Sequence, residues 1–370
     1  NLSHNQMSSD IIELLGESFS ENPNFKSLIM ANTLEQCEPL IPLTKIKTLT
    51  ELDLSHNSLI DPQLQDLLPI KSKTNLPNII KLKLHHNYLT NDSALFISSW
   101  LLSNKTLQEL DLSANLLTYQ SAEAIAKALE SNTTLKSLEL STNGLSKIGI
   151  SIISKALSKK SALTKLNVSN NQIEHIGLRE LILKLKDSNI TELDISHNDC
   201  EPRLASLLAD QLEYEDLDLI KLNIANSKIQ VTGADALIKA SKLTDLDISN
   251  SHISSFDLNK LCKTIKAESA LTTLKLRGCF SHINSLRPLH HELVNKKSLT
   301  SLDLRDNRLL TSPLFINSLV QQNDNLTEVL FNEPQAAKPY TGLYLTINRQ
   351  SRLKEAYNKY SRLFVLQTTL

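Results

Sequence analysis

Hydrophobic residues recur along the chain in a pattern that alternates between two periods. Leu52 and Leu54 are separated by one polar residue, as in a strand, and this short alternation returns about every 28 residues. Between these segments, apolar residues such as Ile125 and Leu129 follow at helical spacing. Each unit therefore predicts a short strand, a turn and a helix, and such a unit can bury its apolar face only against neighbouring copies.

One asparagine marks the turn after most of the predicted strands. It stands in the motif L-x-x-L-x-L-x-x-N-x-L, in copies 27 to 30 residues apart, at Asn57, Asn87, Asn115, Asn143, Asn171 and Asn198. A buried amide can donate to and accept from neighbouring turn backbones, so we predict a continuous ladder of asparagines. Ser227, Ser251 and Cys279 take this position in three later copies, where we expect poorer pairing.

This motif identifies leucine-rich repeats, and their length resembles the ribonuclease-inhibitor-like class. Repeats of that class usually carry a glycine four residues after the last consensus leucine, a position that Gly149, Gly177 and Gly233 fit. The resemblance implies an α/β leucine-rich-repeat solenoid, or horseshoe, with parallel strands on the concave face and helices on the convex face. It is specific for the fold and unspecific for function.

The repeats divide the chain into two expected regions. Residues 1–334 are expected to form a solenoid of about twelve repeats, and residues 335–370 a C-terminal capping helix and tail. Leu2 to Met7 match only the second half of a repeat, so the first copy is expected to be truncated and preceded by further sequence. Thr346 to Tyr360 has the pattern of a basic amphipathic helix that could cover the last repeat.

Composition narrows the range of partners. The 370 residues carry a net charge of -1, which gives no general basic field for nucleic acid. A run of ~18 or more apolar residues, which would predict a membrane span, does not occur. Four scattered cysteines without a C-x-x-C pair favour a reduced, cytoplasmic protein. The sequons at Asn104 and Asn132 would matter only in a chain that enters the secretory path.

Catalytic motifs give no support for an enzyme. The sequence contains no P-loop, G-x-S-x-G or H-E-x-x-H motif. His56 and His86 fall at the same position of neighbouring repeats, beside His85, but no column of carboxylates or cysteines completes a metal site. We therefore predict no catalytic residues, no metal and no cofactor.

The residues that alternate with the strand leucines are predicted to point into the concave face. The candidate partner-binding residues there are Glu51, Asp53, Lys81, Lys83, Glu109, Asp111, Glu139, Glu192, Asp194, Asp245, Asp247, Arg277, Asp303 and Arg305. The position after the asparagine supplies three candidate rim anchors, Tyr88, Leu116 and Phe280. Two interpretations remain open: the acidic columns reflect a common L-D-L-S-x-N consensus, or they steer a basic partner to this face.

We predict a non-enzymatic scaffold that is monomeric on its own and binds a protein on its concave face. The glycine-poor texture, rich in Asn, Ser, Lys and Ile, resembles leucine-rich-repeat effectors of intracellular bacterial pathogens, which implies action on host proteins in the host cytosol. Two alternatives stay open. One is a regulator of an enzyme, such as a GTPase activator or an inhibitor, and the other is the substrate-recognition part of a larger enzyme whose catalytic domain precedes residue 1.

Overall fold

The computed structural model divides the chain into two compact units. It describes residues 1–34, 39–68, 76, 78–215, 217–253, 258–266, 270–280, 287–307, 318–319, 322–323, 325–332 and 344–346. Unit 1 comprises Asn1–Cys200 and Asp210–Leu222, and unit 2 comprises Glu201–Ala209 and Asn223–Leu370.

Unit 1 alternates short strands with outer helices. Its strands are β1 (Ser27–Ile29), β2 (Glu51–Asp53), β3 (Lys81–Lys83), β4 (Glu109–Asp111), β5 (Ser137–Glu139), β6 (Lys165–Asn167) and β7 (Glu192–Asp194). Its helices are α1 (Ser9–Ser20), α2 (Asp61–Leu67), α3 (Asn91–Ser103), α4 (Ala122–Ser131), α5 (Ser146–Ala156) and α6 (His175–Lys184). Short 3-10 segments lie at Ile41–Lys45, Tyr119–Ser121 and Leu185–Asp187.

Helix α7 (Pro202–Tyr214) and strand β8 (Lys221–Asn223) contain residues of both units. Unit 2 continues the same alternation. Its strands are β9 (Asp245–Asp247), β10 (Thr273–Lys275), β11 (Ser301–Asp303), β12 (Glu328–Asn332) and β13 (Tyr344–Thr346), and its helices are α8 (Gln230–Lys239), α9 (Leu258–Lys266) and α10 (Arg287–Asn295).

The strands pair in chain order around a column of leucines. In unit 1, β1 to β7 are parallel, with Leu28 beside Leu52 and the same register repeated at each step. In unit 2, β9 to β12 are parallel in the same way, with Leu274 beside Leu246 and Leu302. The residues of this column, including Val329 in β12, are buried, because stacking removes their apolar surface from water. The predicted fold class, an α/β leucine-rich-repeat solenoid, is confirmed.

The predicted asparagine ladder is also confirmed. Asn115 shows the arrangement: its Nδ2 donates to the carbonyls of Leu84 and Leu112, both at 3.0 Å, and its Oδ1 accepts from Leu89 N at 3.1 Å. One side chain therefore joins its own turn to the turn of the preceding repeat. In unit 2, Cys279 occupies this position and its Sγ donates to Ile248 O at 3.1 Å.

Asparagines form further bridges at the opposite end of the strands. Asn132 Oδ1 accepts from the backbone N–H groups of Thr134 and Leu135, at 3.0 and 2.8 Å, while its Nδ2 donates to Leu101 O at 2.9 Å. Asn104 holds the equivalent loop through Leu107 N at 2.8 Å. Both side chains are buried, so these two sequons serve loop structure.

Close packing at Gly177 explains why one of the outer positions expected to be glycine requires that residue. A Cβ at this position would lie 2.7 Å from Ile150 Cγ2 and 2.9 Å from Lys147 Cα. Helix α6 therefore approaches the segment around α5 more closely than a side chain would allow. A glycine permits this approach because it has no Cβ.

The sequence made predictions for the first residues of the chain and for the segment that begins at Thr346. Leu2 N donates to Ile29 O at 2.7 Å, as Leu54 N donates to Lys83 O at 2.9 Å, so the first residues pair with the next repeat as the residues after β2 do. At the other end, Thr346 is the last residue of β13, antiparallel to β12, and not the start of a helix. The remainder of the predicted capping helix, and residues 333–343, lie outside the described residues.

Candidate functional site

The first and third residues of strands β2 to β7 flank the buried leucines and form a surface that we call the strand face. It carries seven carboxylates, of Glu51, Asp53, Glu109, Asp111, Glu139, Glu192 and Asp194, against three lysines, Lys81, Lys83 and Lys165. Parallel pairing places equivalent residues of adjacent strands beside one another. The sequence-predicted residues of unit 1 are therefore brought together on one surface with a net negative charge.

The first residues of the strands form the first column of this face and the third residues form the second column. Ion pairs join adjacent strands within and between these columns. Lys81 Nζ lies 2.9 Å from Glu109 Oε1, and Lys165 Nζ lies 2.8 Å from Glu139 Oε1. These hydrogen bonds raise the pKa of Lys81 and of Lys165 above its usual value. Both side chains of the Lys81–Glu109 pair are exposed, and exposed pairs contribute only about 0–1 kcal/mol each, so a partner can replace this pair at little cost.

The aspartates of the second column have a structural role that the sequence analysis did not identify. Asp111 Oδ1 accepts from Ser113 N at 3.0 Å and from Ser113 Oγ at 2.5 Å. Asp194 makes the same pair of bonds with Ser196, at 2.9 and 2.7 Å. Each aspartate thus closes the turn that follows its strand. This geometry favours the consensus interpretation for the aspartates and leaves the glutamates of the first column as the more accessible acidic groups.

A group of histidines lies where the strand face meets the turns. His85 Nδ1 is 3.1 Å from Asp111 Oδ2, and this neighbouring carboxylate raises the pKa of His85. The ring centroid of His56 is 4.3 Å from that of His86, and burial together with this neighbour lowers the pKa of His56. Among the described residues, no group of three or more His, Cys, Asp or Glu side chains is arranged to hold a metal ion.

Two of the three predicted rim anchors are exposed. Tyr88 and Leu116 retain 56% and 53% of their accessible surface, and they lie on adjacent repeats. Tyrosine is among the residues that most often anchor a protein interface, so Tyr88 is the stronger of the two candidates.

The third rim residue, Phe280, is a wrong prediction because only 1% of its surface is exposed. Its N–H donates to Asn307 Oδ1 at 2.8 Å, whereas in earlier repeats this kind of bond comes from the consensus leucine, as from Leu59 N to Asn87 Oδ1. Phe280 therefore takes the place of that leucine one position early. The signal in the sequence was the serine at position 281, where the motif calls for an apolar residue.

The structure adds three apolar residues that the sequence analysis missed. Tyr119, Ile148 and Ile176 are 44%, 49% and 50% exposed and stand at the start of outer segments in successive repeats. With Tyr88 and Leu116 they form a set that we call the rim stripe.

The predicted residues of unit 2 are held by partners close to them. Arg305 binds Asp303 through two nitrogens, with Nε 2.9 Å from Oδ1 and Nη2 2.5 Å from Oδ2. Arg277 pairs with Asp306, and Lys275 Nζ lies 3.4 Å from Asp247 Oδ2. Asp245, the remaining predicted residue, is half-buried on β9. The two arginines are therefore engaged within the protein, which makes them weaker anchors than the rim stripe.

Comparison with known proteins identifies the repeat. A family model described as Leucine Rich repeat matches residues 45–63, 103–126, 131–154 and 160–181. Among curated proteins, none matches this sequence. The crystal structure of an internalin (inlF) from Listeria monocytogenes is similar, with 20% sequence identity, a TM-score of 0.46 and coverage of 87% of each chain. In the described residues, every helix is too short or too polar to cross a membrane.

Proposed function

We propose that this chain is a non-enzymatic scaffold that binds a protein with the strand face and the rim stripe of unit 1. Leucine-rich-repeat scaffolds typically bind other proteins. The observation that carries the proposal is the exposure of Tyr88 and Leu116 on adjacent repeats, beside a strand face with seven carboxylates and three lysines. An apolar anchor surrounded by polar groups is the usual composition of a protein interface.

The charges of the strand face define the partner's chemistry. Glu109 is exposed and Glu192 half-buried, and each forms a salt bridge with a flexible lysine, Lys81 and Lys221 respectively. A basic side chain of a partner could replace either lysine with little loss of free energy. The proposed partner therefore presents an apolar patch surrounded by lysine or arginine, and its association is steered by the net negative charge of the face.

The test is affinity capture from eukaryotic cell lysate, read by mass spectrometry, with a matched pair of double variants. Tyr88→Ala with Leu116→Ala removes the anchors. Tyr214→Ala with Leu95→Ala removes the same residue types where they are 82% and 55% exposed but away from the strand face. We expect proteins captured by the wild type to be retained by the second variant and depleted about tenfold or more by the first.

Equal capture by both variants, with both shown to be folded by circular dichroism, would contradict the proposal. Replacing Glu109 and Glu192 by lysine tests the electrostatic part separately. We expect those substitutions to slow association mainly at low salt, because screening weakens the attraction of exposed charges.

We further propose membership of the ribonuclease-inhibitor-like class and action as a bacterial effector in the host cytosol, as a monomer. The close approach at Gly177 supports the class. The scattered cysteines without a C-x-x-C pair support a cytoplasmic location. Self-repulsion of the acidic strand face supports a monomer. Fractionation of host cells that receive the tagged protein, and light scattering of the purified chain, test location and state.

A further inference from the structure

A groove of about 630 Å³ lies in unit 1 along the edge of the sheet opposite the asparagine ladder. Its lining comes from the residues just before strands β1 to β5 and from the loops that precede those residues. Three lysines, four threonines, an asparagine, a glutamine and an isoleucine line it. None of these described lining residues carries a carboxylate.

Backbone hydrogen bonds hold the groove in place without using its charged groups. Lys26 O accepts from Thr50 N and Glu51 N at 2.8 and 3.0 Å, and Gln108 O accepts from Lys136 N at 2.8 Å. The adjoining loops are fixed by the asparagine bridges already described. The ammonium groups of Lys26, Lys105 and Lys136 are thus not needed to form these walls.

The lysines of the groove differ from those of the strand face in their ion pairing. Lys81, Lys83 and Lys165 on the strand face all lie within salt-bridge distance of a carboxylate. Within the described part of the chain, Lys26, Lys105 and Lys136 make no salt bridge. Three uncompensated cations therefore share one groove in a protein whose net charge is -1.

The spacing of these lysines suits a small ligand with several anionic groups. Lys26 precedes β1 and Lys136 precedes β5, so four strand spacings of about 4.8 Å separate them, or about 19 Å. Lys105 lies in the loop before β4, between these two positions. A volume of about 630 Å³ is within the range of small-molecule sites.

We propose that this groove binds a sugar or inositol ring that carries two or more phosphate or sulfate groups. The lysines supply point charges for the anionic groups. The threonine, asparagine and glutamine side chains supply donors and acceptors for ring hydroxyls. The lining has no aromatic or arginine side chain on which bases could stack, which disfavours single-stranded nucleic acid.

The experiment is titration calorimetry with inositol trisphosphate at low salt, using two triple variants of equal net charge. Lys26→Glu, Lys105→Glu and Lys136→Glu remove the groove cations. Lys127→Glu, Lys155→Glu and Lys263→Glu make the same change on exposed helical positions elsewhere. We expect wild type and the second variant to bind alike and the first to lose affinity by at least about tenfold. Melting curves verify that both variants fold.

Failure of the wild type to bind, or an equal loss in both triple variants, would overturn the proposal. Tripolyphosphate tests the sugar part: binding as tight as that of inositol trisphosphate would overturn the role of the ring hydroxyls. Flotation with phosphatidylcholine vesicles that contain phosphatidylinositol bisphosphate shows whether the natural ligand is part of a lipid or a free molecule. Groove-dependent vesicle binding would identify a lipid headgroup, and binding of the soluble probe alone would identify a free sugar phosphate.

Discussion

The turns of unit 1 that carry a ladder asparagine and the turns of unit 2 at Ser251 and Cys279 perform the same task with different side chains. Asn171 in unit 1 donates to Leu140 O at 2.8 Å and to Val168 O at 3.2 Å, and accepts from Leu145 N at 3.3 Å. Cys279 in unit 2 has a single thiol to donate, and burial raises the pKa of that thiol to about 12. Both turns are built, so the leucine spacing suffices to form the fold, whereas the ladder residue determines how firmly each turn is held.

A neutral thiol or a serine hydroxyl cannot replace an amide fully. An amide offers two donors and a two-lone-pair acceptor, a hydroxyl offers one donor, and a thiol donates only weakly. Each net hydrogen bond contributes about 1 kcal/mol, and a buried group left unpaired costs about 1–3 kcal/mol. The turns with Ser251 and Cys279 are therefore expected to be less stable than those with asparagine.

Substitution of a core leucine is expected to have the largest effect in either unit. Leu140 in unit 1 and Leu304 in unit 2 are almost completely buried. Leu140→Asp or Leu304→Asp places an unpaired charge among stacked strands and should destabilise the protein by more than about 4 kcal/mol. Thermal melting by circular dichroism measures this, with Leu116→Asp at an exposed position as control. A cooperative melt near the wild-type temperature for Leu140→Asp would refute the assignment of the core.

Removal of a ladder side chain should lower the free energy of unfolding by a smaller amount, and this loss should differ between the two units. Asn171→Ala leaves several buried backbone groups unpaired and should cost about 3 kcal/mol. Ser251→Ala removes one hydroxyl, which donates to Ile248 O, and should cost about 1 kcal/mol. Urea unfolding of both variants gives the comparison. Equal losses would show that the ladder residue does not determine the strength of the turn.

Restoring the amide at position 279 of unit 2 should give the smallest change, and with opposite sign. Cys279→Asn supplies the missing donors and acceptor, and we expect a gain of about 1 kcal/mol in the free energy of unfolding. Cys279→Ala is the matched control, because it removes the thiol without adding an amide. A destabilised Cys279→Asn variant would mean that this buried position is too tightly packed to accept the larger side chain.

The candidate sites differ in how much of them the sequence predicts. Alternation around Leu110 correctly places Glu109 and Asp111 on one surface, because side chains alternate across a strand. The separate role of Asp111 needed the structure, since only the backbone shows that its carboxylate closes the turn at Ser113. The burial of Phe280 was also visible only in the structure, because a shift of one residue in the repeat changes an exposed position into a buried one.

The groove was outside the reach of sequence patterns altogether. Lys26, Lys105 and Lys136 do not share one motif position, and the overall charge of the chain conceals them among an almost equal number of acidic residues. Stacking of the repeats brings these three lysines to one edge of the sheet. The lysines of the strand face, such as Lys81, are instead paired with carboxylates.

The sequence by itself determined the repeat, the alternation of strand and helix, the leucine core and the asparagine ladder, because each follows from spacing within about 30 residues. Only the tertiary structure decided which charges are paired and which remain free, as the contrast between Lys81 and Lys136 shows. The reason is physical: an ion pair depends on distances of a few ångströms between residues that lie a repeat or more apart, and these distances exist only after the repeats have stacked.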